Sequence, residues 1–292
     1  MASGFHLSLA GARNISLKED SMAVKKADQV LGVDIGGTGI KCAVVDFRKG
    51  ELITERFRLE TPESATPEAV IGTMKKLVDD IGWKGPVGCG FPGLVKEGVV
   101  RRAPNLDDSF AGYNLIEGIR TALGASIVAV GNDADVAGLA EARFGAGKGV
   151  SGSVVMVTLG TGIGTAVIHN GVLLPDTELG HLEMKGKDSE RWASNTAREE
   201  NGWSWKKWGK NVDRYLTTLE YLIGADRFII GGGVSKKPEK FFPYLKKVGC
   251  EVVPASMGNL AGIVGAGLLA VPEIRRASRS AADRKRRAAK KS

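Results

Sequence analysis

Cysteine is scarce: three residues in 292, Cys42, Cys89 and Cys250, with no CxxC spacing among them. That excludes a disulfide framework, leaves structural zinc without a ligand set and fits a reducing compartment. Long apolar runs are missing too. None approaches the roughly 18 residues of a membrane-spanning helix, and the first 28 residues lack the apolar block of a secretory signal. A cytoplasmic protein with no membrane partner is therefore expected. Two nucleotide motifs are also absent. Neither Lys41 nor Lys148 sits in a GxxxxGK[ST] string, which excludes a phosphate-loop NTPase. A formal GxGxxG occurs at Gly88, Gly90 and Gly93, with Asp107 downstream. Residues 94–101 after it alternate like a hairpin instead of opening a helix, so the dinucleotide reading is rejected.

What the chain does have is an ordinary globular balance, 43% hydrophobic and 25% charged, with 40 glycines. That glycine share is about twice the usual 7% and, without collagen periodicity, predicts tight turns and phosphate loops. The net charge of +8 is uneven. Residues 273–292 hold nine Lys or Arg against Glu273 and Asp283, a net +7, leaving +1 for the first 272 residues. The basicity thus belongs to the tail and gives no reason to expect a specific nucleic-acid partner. The tail reads as disordered, either merely solvated or a tether for a polyanion by counterion release. Residues 1–28 read as a flexible extension.

Between these ends, strand and helix patterns alternate. Residues 30–34, 42–47 and 52–60 predict an antiparallel meander. Residues 66–81 predict a helix capped by Thr66 with Pro67 in the first turn and Val70, Met74, Leu77 and Ile81 on one face. Strands are expected at 87–90 and 126–130, helices at 115–123 and 134–144, and a second hairpin at 153–159 and 164–169. Trp208, Val212, Tyr215, Leu219 and Leu222 sit at helical spacing before a strand at 228–230. The class is α/β with helices covering mixed sheets.

The string Gly-Thr-Gly-Ile occurs twice, at Gly37 and at Gly160, each time between two β runs. Such a turn offers backbone N–H groups with no side chain in the way, which suits phosphate oxygens; without a ligand it is simply a glycine hairpin. Asp34, beside the first string, is either a turn cap or a carboxylate that holds magnesium through water. Gly231, Gly232 and Gly233 follow an apolar strand and can border a nucleotide or polyanion cleft. Asn132-Asp133 ends a strand and precedes a helix, so Asp133 is placed either as a general base or as part of a helix cap. Glu178-Leu-Gly-His181 offers acceptors and donors to a polyhydroxylated ligand, and lacks the partners a zinc site needs.

In this order, Asp34-Ile-Gly-Gly-Thr38, Gly90-Phe-Pro-Gly93, Asn132-Asp133, Leu159-Gly-Thr-Gly-Ile-Gly164, Glu178-Leu-Gly-His181 and Gly231-Gly-Gly233 resemble the motif set of the ROK family of sugar kinases, across residues 30–270. Gly98-Val-Val-Arg101, Pro104-Asn-Leu106, Gly186-Lys-Asp-Ser-Glu190, Trp203-Ser-Trp205 and Gly232-Gly-Val-Ser-Lys236 are similar to the polyphosphate-using glucokinases of that family. The resemblance implies a two-lobed actin/hexokinase-like (ribonuclease H-like) fold with a central cleft. Residues 29–131 would form the smaller lobe, 132–261 the larger, and 262–292 a helix returning to the smaller lobe plus the basic tail. Gly36, Gly37, Thr38 and Lys41 would meet phosphate from one lobe and Gly160, Thr161 and Gly162 from the other, with Gly231, Gly232 and Gly233 at the base or its counterpart. Asp133 would take the proton of the 6-hydroxyl of glucose, Asn132, Glu178 and His181 would hold other hydroxyls, and Asn105 and Glu190 would complete the sugar shell. The implied partners are glucose, polyphosphate and/or ATP, and a second copy of the chain; the implied cofactor is magnesium. Many family members carry a cysteine-rich zinc motif after the Glu-x-Gly-His string, and residues 185–204 hold no cysteine, so no zinc is expected. About 30 residues before the first motif leave no room for the helix-turn-helix of the family's repressors. The alternatives are an ATP-dependent hexokinase for another sugar and a non-catalytic sugar sensor, the latter opposed by intact Asp34 and Asp133.

Overall fold

The structure, a computed structural model, describes residues 26–184 and 186–289. Most of the expected N-terminal extension, Lys185 and the last three residues of the tail lie outside the described residues. A first sheet is built from β1 (Gln29–Gly36), β2 (Gly39–Asp46), β3 (Glu51–Leu52), β4 (Phe57–Leu59) and β5 (Val87–Phe91), with helix α1 (Pro67–Ile81) between the last two. A short hairpin follows, β6 (Leu94–Lys96) and β7 (Val99–Arg102), then α2 (Leu115–Leu123), β8 (Val128–Asn132) and α3 (Asp133–Phe144). The strand order is β3-β2-β1-β5-β8, with β4 also on β2. A second sheet comprises β9 (Ser153–Leu159), β10 (Ile163–His169) and β11 (Val172–Leu174). After a hairpin, β12 (Glu183–Met184) and β13 (Lys187–Asp188), and helices α4 (Glu190–Ala193), α5 (Asn195–Glu200) and α6 (Trp205–Ile223), it resumes with β14 (Arg227–Gly231) and β15 (Glu251–Pro254). Its order is β11-β10-β9-β14-β15. In both sheets an antiparallel hairpin comes first and parallel strands join the hairpin's first strand. The duplicated Gly-Thr-Gly-Ile string is therefore the sequence trace of a duplicated sheet.

Each sheet has an outer helical layer and an inner one. Met74, Leu77 and Ile119 of α1 and α2 pack on Leu31, Val33 and Val87 of the first sheet. Trp208, Val212 and Leu216 of α6 pack on Val155, Val157 and Phe228 of the second. Between the sheets lie α3 and the helix α7 (Ala261–Leu269). Helix α7 contributes Ile263 and Val264 against Val30 and Val45, and it is apolar on every side because the first sheet and α3 cover both of its faces. The inner helices approach very closely. A Cβ on Gly265 would lie 1.7 Å from the Val136 carbonyl oxygen, and one on Gly88 would lie 1.8 Å from that of Ala266. Part of the glycine excess thus serves helix packing, where only a hydrogen fits, and not phosphate turns.

Local signals explain most boundaries. Thr66 Oγ accepts the Ala69 N–H, as the sequence predicts, and Gly82 closes α1 in a left-handed conformation. The strand expected over 52–60 is broken instead, because Thr54 Oγ1 takes the Val44 N–H and ends the β2–β3 pairing. The tail departs from its expected disorder: residues 271–289 form helix α8 (Val271–Ala289). Val271 and Ile274 are buried against α7, and the Ala- and Arg-rich remainder has high helix propensity, which continues the helix into solvent. Helix α8 starts at the end of α7 away from Gly262, and none of its described residues lines the cleft.

Candidate active site

The carboxyl-terminal edges of the two sheets face one another across a cleft of about 800 Å³, within the range of small-molecule sites. Asp34, Lys41, Asn105, Asn132, Asp133, Gly160, Thr161, Gly162, Glu178, His181, Glu190, Gly231, Gly232 and Gly233 all line it. Gly36, Gly37 and Thr38 do not. They form the tip of the β1–β2 hairpin, where Gly36 pairs with Gly39; a Cβ on Gly37 would lie 3.8 Å from Asn105 Cβ, so Asn105 stands between that tip and the cleft.

Asp133 is the first residue of α3 and is exposed where it lines the cleft. Its carboxyl is pushed up to about 6, mainly by loss of surrounding water; the Ala134 N–H pulls the other way, and the negative charges of Asp34 and Glu178 raise it further. Both readings of the Asn132-Asp133 pair hold, split between the two residues. Asn132 Oδ1 caps α3 by accepting from Ala134 N (2.8 Å) and Asp135 N (3.3 Å). Its Nδ2 donates to the Gly93 carbonyl (3.2 Å), leaving one amide hydrogen for a ligand. The cap frees Asp133 to face the cleft.

On the other wall, β10 carries the turn to Glu178 and His181, which sit on a single 3-10 turn. His181 Nδ1 bonds Asp188 (2.8 Å) and lies 3.9 Å from Glu190. Glu190 Oε1 accepts the Ile163 N–H (2.7 Å) at the base of the second Gly-Thr hairpin, so one carboxylate links that hairpin to His181. His181, Asp188 and Glu190 bring ligand atoms within 4.8 Å of one another, a grouping that the sequence, read for zinc partners, does not reveal. All three side chains already have protein partners, and no thiol joins them.

Two of the residues that escaped the sequence reading bear on these groups. Arg102, from β7 of the first lobe, reaches across to His181 Nε2 (2.9 Å) and Glu178 (3.5 Å). Asp135, 2% exposed, accepts the Asp176 N–H (2.7 Å) and so ties α3 to the segment that carries Glu178. Among the described residues its other oxygen has no partner. Burial, with Asp176, Glu178 and Asp133 nearby, pushes Asp135 up to about 7 against the pull of the Asp176 N–H. Arg102 has no signal beyond following a charged hairpin. Asp135 has one, an acidic residue on the inward side of a helix.

Asp34 lies at the mouth of the first hairpin with Lys41 Nζ at 3.1 Å. Its carboxyl is packed against the start of α7, where a Cβ on Gly262 would lie 2.9 Å from Asp34 Cγ. Five carboxylates (Asp34, Asp133, Glu141, Glu178, Glu190) line the cleft against three cations (Lys41, Arg102, Lys236). Negative charge is thus in surplus there, and Asp34 offers it a hard oxygen ligand of the kind that takes a divalent cation.

The ROK family model matches residues 30–202. The polyphosphate glucokinase of Mycobacterium tuberculosis (strain CDC 1551 / Oshkosh) is 50% identical over 242 residues, covering 83% of this chain and 91% of that protein. Among solved structures, the inorganic polyphosphate/ATP-glucomannokinase of Arthrobacter sp. strain KM superposes with a TM-score of 0.76 at 45% identity, covering 85% of this chain and 98% of that one. The ROK family glucokinase of Streptomyces griseus in complex with glucose and AMPPNP superposes with a TM-score of 0.70 at 26% identity, covering 84% and 99%.

Proposed function

The chain belongs to the ROK family, and on that premise we propose that it is a glucokinase moving a phosphoryl group from inorganic polyphosphate, and also from ATP, to the 6-hydroxyl of glucose. The observation that carries the chemistry is Asp133, a carboxyl raised to about 6 at the floor of a cleft between two glycine hairpins. At neutral pH it is mostly ionised and still basic enough to accept the hydroxyl proton as the oxygen attacks phosphorus. Glu178 and His181 hold the sugar's other hydroxyls, Glu190 and Asn105 close its shell, and the free amide hydrogen of Asn132 adds a donor. Arg102 orients Glu178 and His181 from the opposite lobe.

Gly160, Thr161 and Gly162 receive the donor's phosphates with Lys41, and the first hairpin, Gly36, Gly37 and Thr38, closes from the other side. Gly231, Gly232 and Gly233 border the donor's distal part. Magnesium, held through water by Asp34, supplies charge neutralisation at the phosphoryl oxygens when bound. Zinc has no part in the reaction, and the family resemblance implies a cytoplasmic homodimer.

One assay tests the reading. Purified protein, glucose and either long-chain polyphosphate or ATP should yield glucose 6-phosphate with magnesium and none after its removal, while a zinc-selective chelator changes nothing. Product from ATP alone would restrict the donor to nucleotide, and product from neither donor would leave the sugar-sensor alternative. Stoichiometric, tightly held zinc would overturn the zinc reading, and a monomer by light scattering the homodimer.

A further inference from the structure

Asp133 begins α3, whereas Glu178 and His181 sit on the loop that precedes β12. One hydrogen bond brings these distant stretches of chain together. Asp135 Oδ2 accepts the Asp176 N–H (2.7 Å) across 41 residues of sequence. Asp133-Ala-Asp135 and Asp176-Thr-Glu178 thereby become two sides of one ring, closed at one end by that bond and open at the other toward the cleft. Asp135 lies two residues after the proton acceptor, and Asp176 two residues before Glu178. The negative charge of Glu178 is felt at both Asp133 and Asp135, as such a ring requires.

Asp176 is held from other directions as well. Its backbone is left-handed, φ +62°, a conformation that a residue other than glycine keeps where its surroundings impose it, and one that gathers at functional sites. Its side chain, 10% exposed, accepts from Lys96 Nζ (2.6 Å). Lys96 ends β6 in the first lobe, so the pair crosses between lobes, as Arg102 of the same hairpin does to reach Glu178 and His181. Behind the loop, buried Thr165 of β10 donates to the Thr177 carbonyl (2.6 Å) and accepts the Leu179 N–H (3.1 Å). Thr165 anchors the loop to the second sheet, and Asp135 sets its approach to α3. Burying the Asp135 carboxyl with one oxygen unpartnered among the described residues costs stability instead of adding to it. The fold alone gives no reason for that arrangement.

We propose that Asp135 and Asp176 are positioning residues for phosphoryl transfer: their hydrogen bond sets the spacing between Asp133 and the sugar held by Glu178 and His181, and Lys96 holds that spacing from the opposite lobe. It rests on the glucokinase reading of the cleft. Proton transfer needs the base within about 2.6–3.2 Å of the hydroxyl oxygen, and a misplacement of about 1 Å costs on the order of 10² in rate. A ring closed by a single short bond keeps base and sugar loop in step, which 41 residues of intervening chain do not. With the bond lost, Thr165 still carries the loop. The sugar then binds, displaced from its proton acceptor.

The test measures kcat at saturating donor, and glucose affinity and binding stoichiometry by calorimetry, for wild type, D135A, D135N, D176N, K96Q and K96R. D135A should lower kcat per glucose-binding site by about tenfold to 10², with a far smaller change in glucose affinity. D135N, whose amide oxygen still accepts the Asp176 N–H, should recover most of that loss. D176N keeps the backbone N–H and a residue type that tolerates the left-handed conformation, and gives up only the charge facing Lys96. D176N and K96Q should each lower kcat about threefold, the worth of one ion pair near the surface. The double variant should lose no more than either alone, and K96R should behave as wild type. A merely structural Asp135 would lower the melting temperature of D135A and leave kcat per binding site unchanged; that result overturns the proposal, as does an equal loss of kcat in D135N and D135A. Should D135A fail to fold, D176N and K96Q decide, and unchanged kcat in both sinks the proposal. Wild type that forms no glucose 6-phosphate is a separate result, which refutes the reaction and the positioning with it.

Discussion

Replacing Asp133 by Asn should separate chemistry from binding and folding. The amide keeps the side chain's shape and can still accept the Ala134 N–H, which Asp133 Oδ1 takes at 2.7 Å. The cap of α3 is held independently by Asn132 Oδ1, so the variant should fold, and at pH 7 it should be somewhat more stable than wild type because the ionised carboxyl that the fold disfavours is gone. Loss of the proton acceptor should lower kcat by about 10² to 10⁴, or about 2.7 to 5.4 kcal/mol at 1.36 kcal/mol per tenfold. The wild-type pH profile provides a second readout. With the carboxyl raised to about 6, roughly nine-tenths of the enzyme is active at pH 7 and roughly a tenth at pH 5, so kcat/KM should climb tenfold per pH unit and level off above about 6. The Asn variant should lack that limb while binding glucose normally by calorimetry. A dehydrogenase-coupled assay for glucose 6-phosphate measures both. A variant that keeps more than about a tenth of kcat, or retains the acidic limb, refutes the assignment of Asp133 as the base.

Other substitutions test the supporting groups. Asp135 holds its proton more tightly in the fold than in the unfolded chain (about 7 against 3.8), so wild-type stability should fall as pH rises from about 4 to 7, by at most about 4 kcal/mol. Asp135→Asn should flatten that dependence in denaturant titrations, and an unchanged slope would count against a buried, protonated Asp135. Glu178→Gln and His181→Ala should each weaken glucose binding and kcat together by tenfold or more, since a misplaced hydroxyl lowers the population of reactive geometry. Glu178→Gln should also move the acidic limb below 6, because it removes one of the negative charges that raise Asp133. Normal glucose affinity in both variants would defeat the sugar-site assignment. Ending the chain after Ala277 keeps buried Val271 and Ile274, and none of the described residues of α8 lines the cleft. That truncation should leave the KM for tripolyphosphate unchanged and raise the KM for long chains only at low salt. An equal effect on the short donor would place the tail at the active site.

The sequence by itself determined the elements whose signals are local. The Thr66 cap, Pro67 and Gly82 bound α1 within the chain's own neighbourhood, and the repeated Gly-Thr-Gly-Ile strings mark two hairpins that no tertiary contact is needed to locate. The ordered motifs also named most of the polar residues that line the cleft, missing Arg102, Glu141, Thr158 and Asn259. Packing between distant segments decided the rest. The sequence read the glycine excess as turns, yet Gly88 and Gly265 are small because helix α7 passes within contact of a strand and of α3, a requirement set by backbone more than 100 residues away. Arg102 acts on Glu178 and His181 from 76 and 79 positions upstream across the cleft, and His181 gains Asp188 and Glu190 through the β12–β13 hairpin. The raised carboxyl of Asp133 depends on how much water the two lobes exclude and on charges at Asp34 and Glu178. Burial and field are properties of the closed tertiary arrangement: a residue's type states which proton it can hold, and only its surroundings set how tightly.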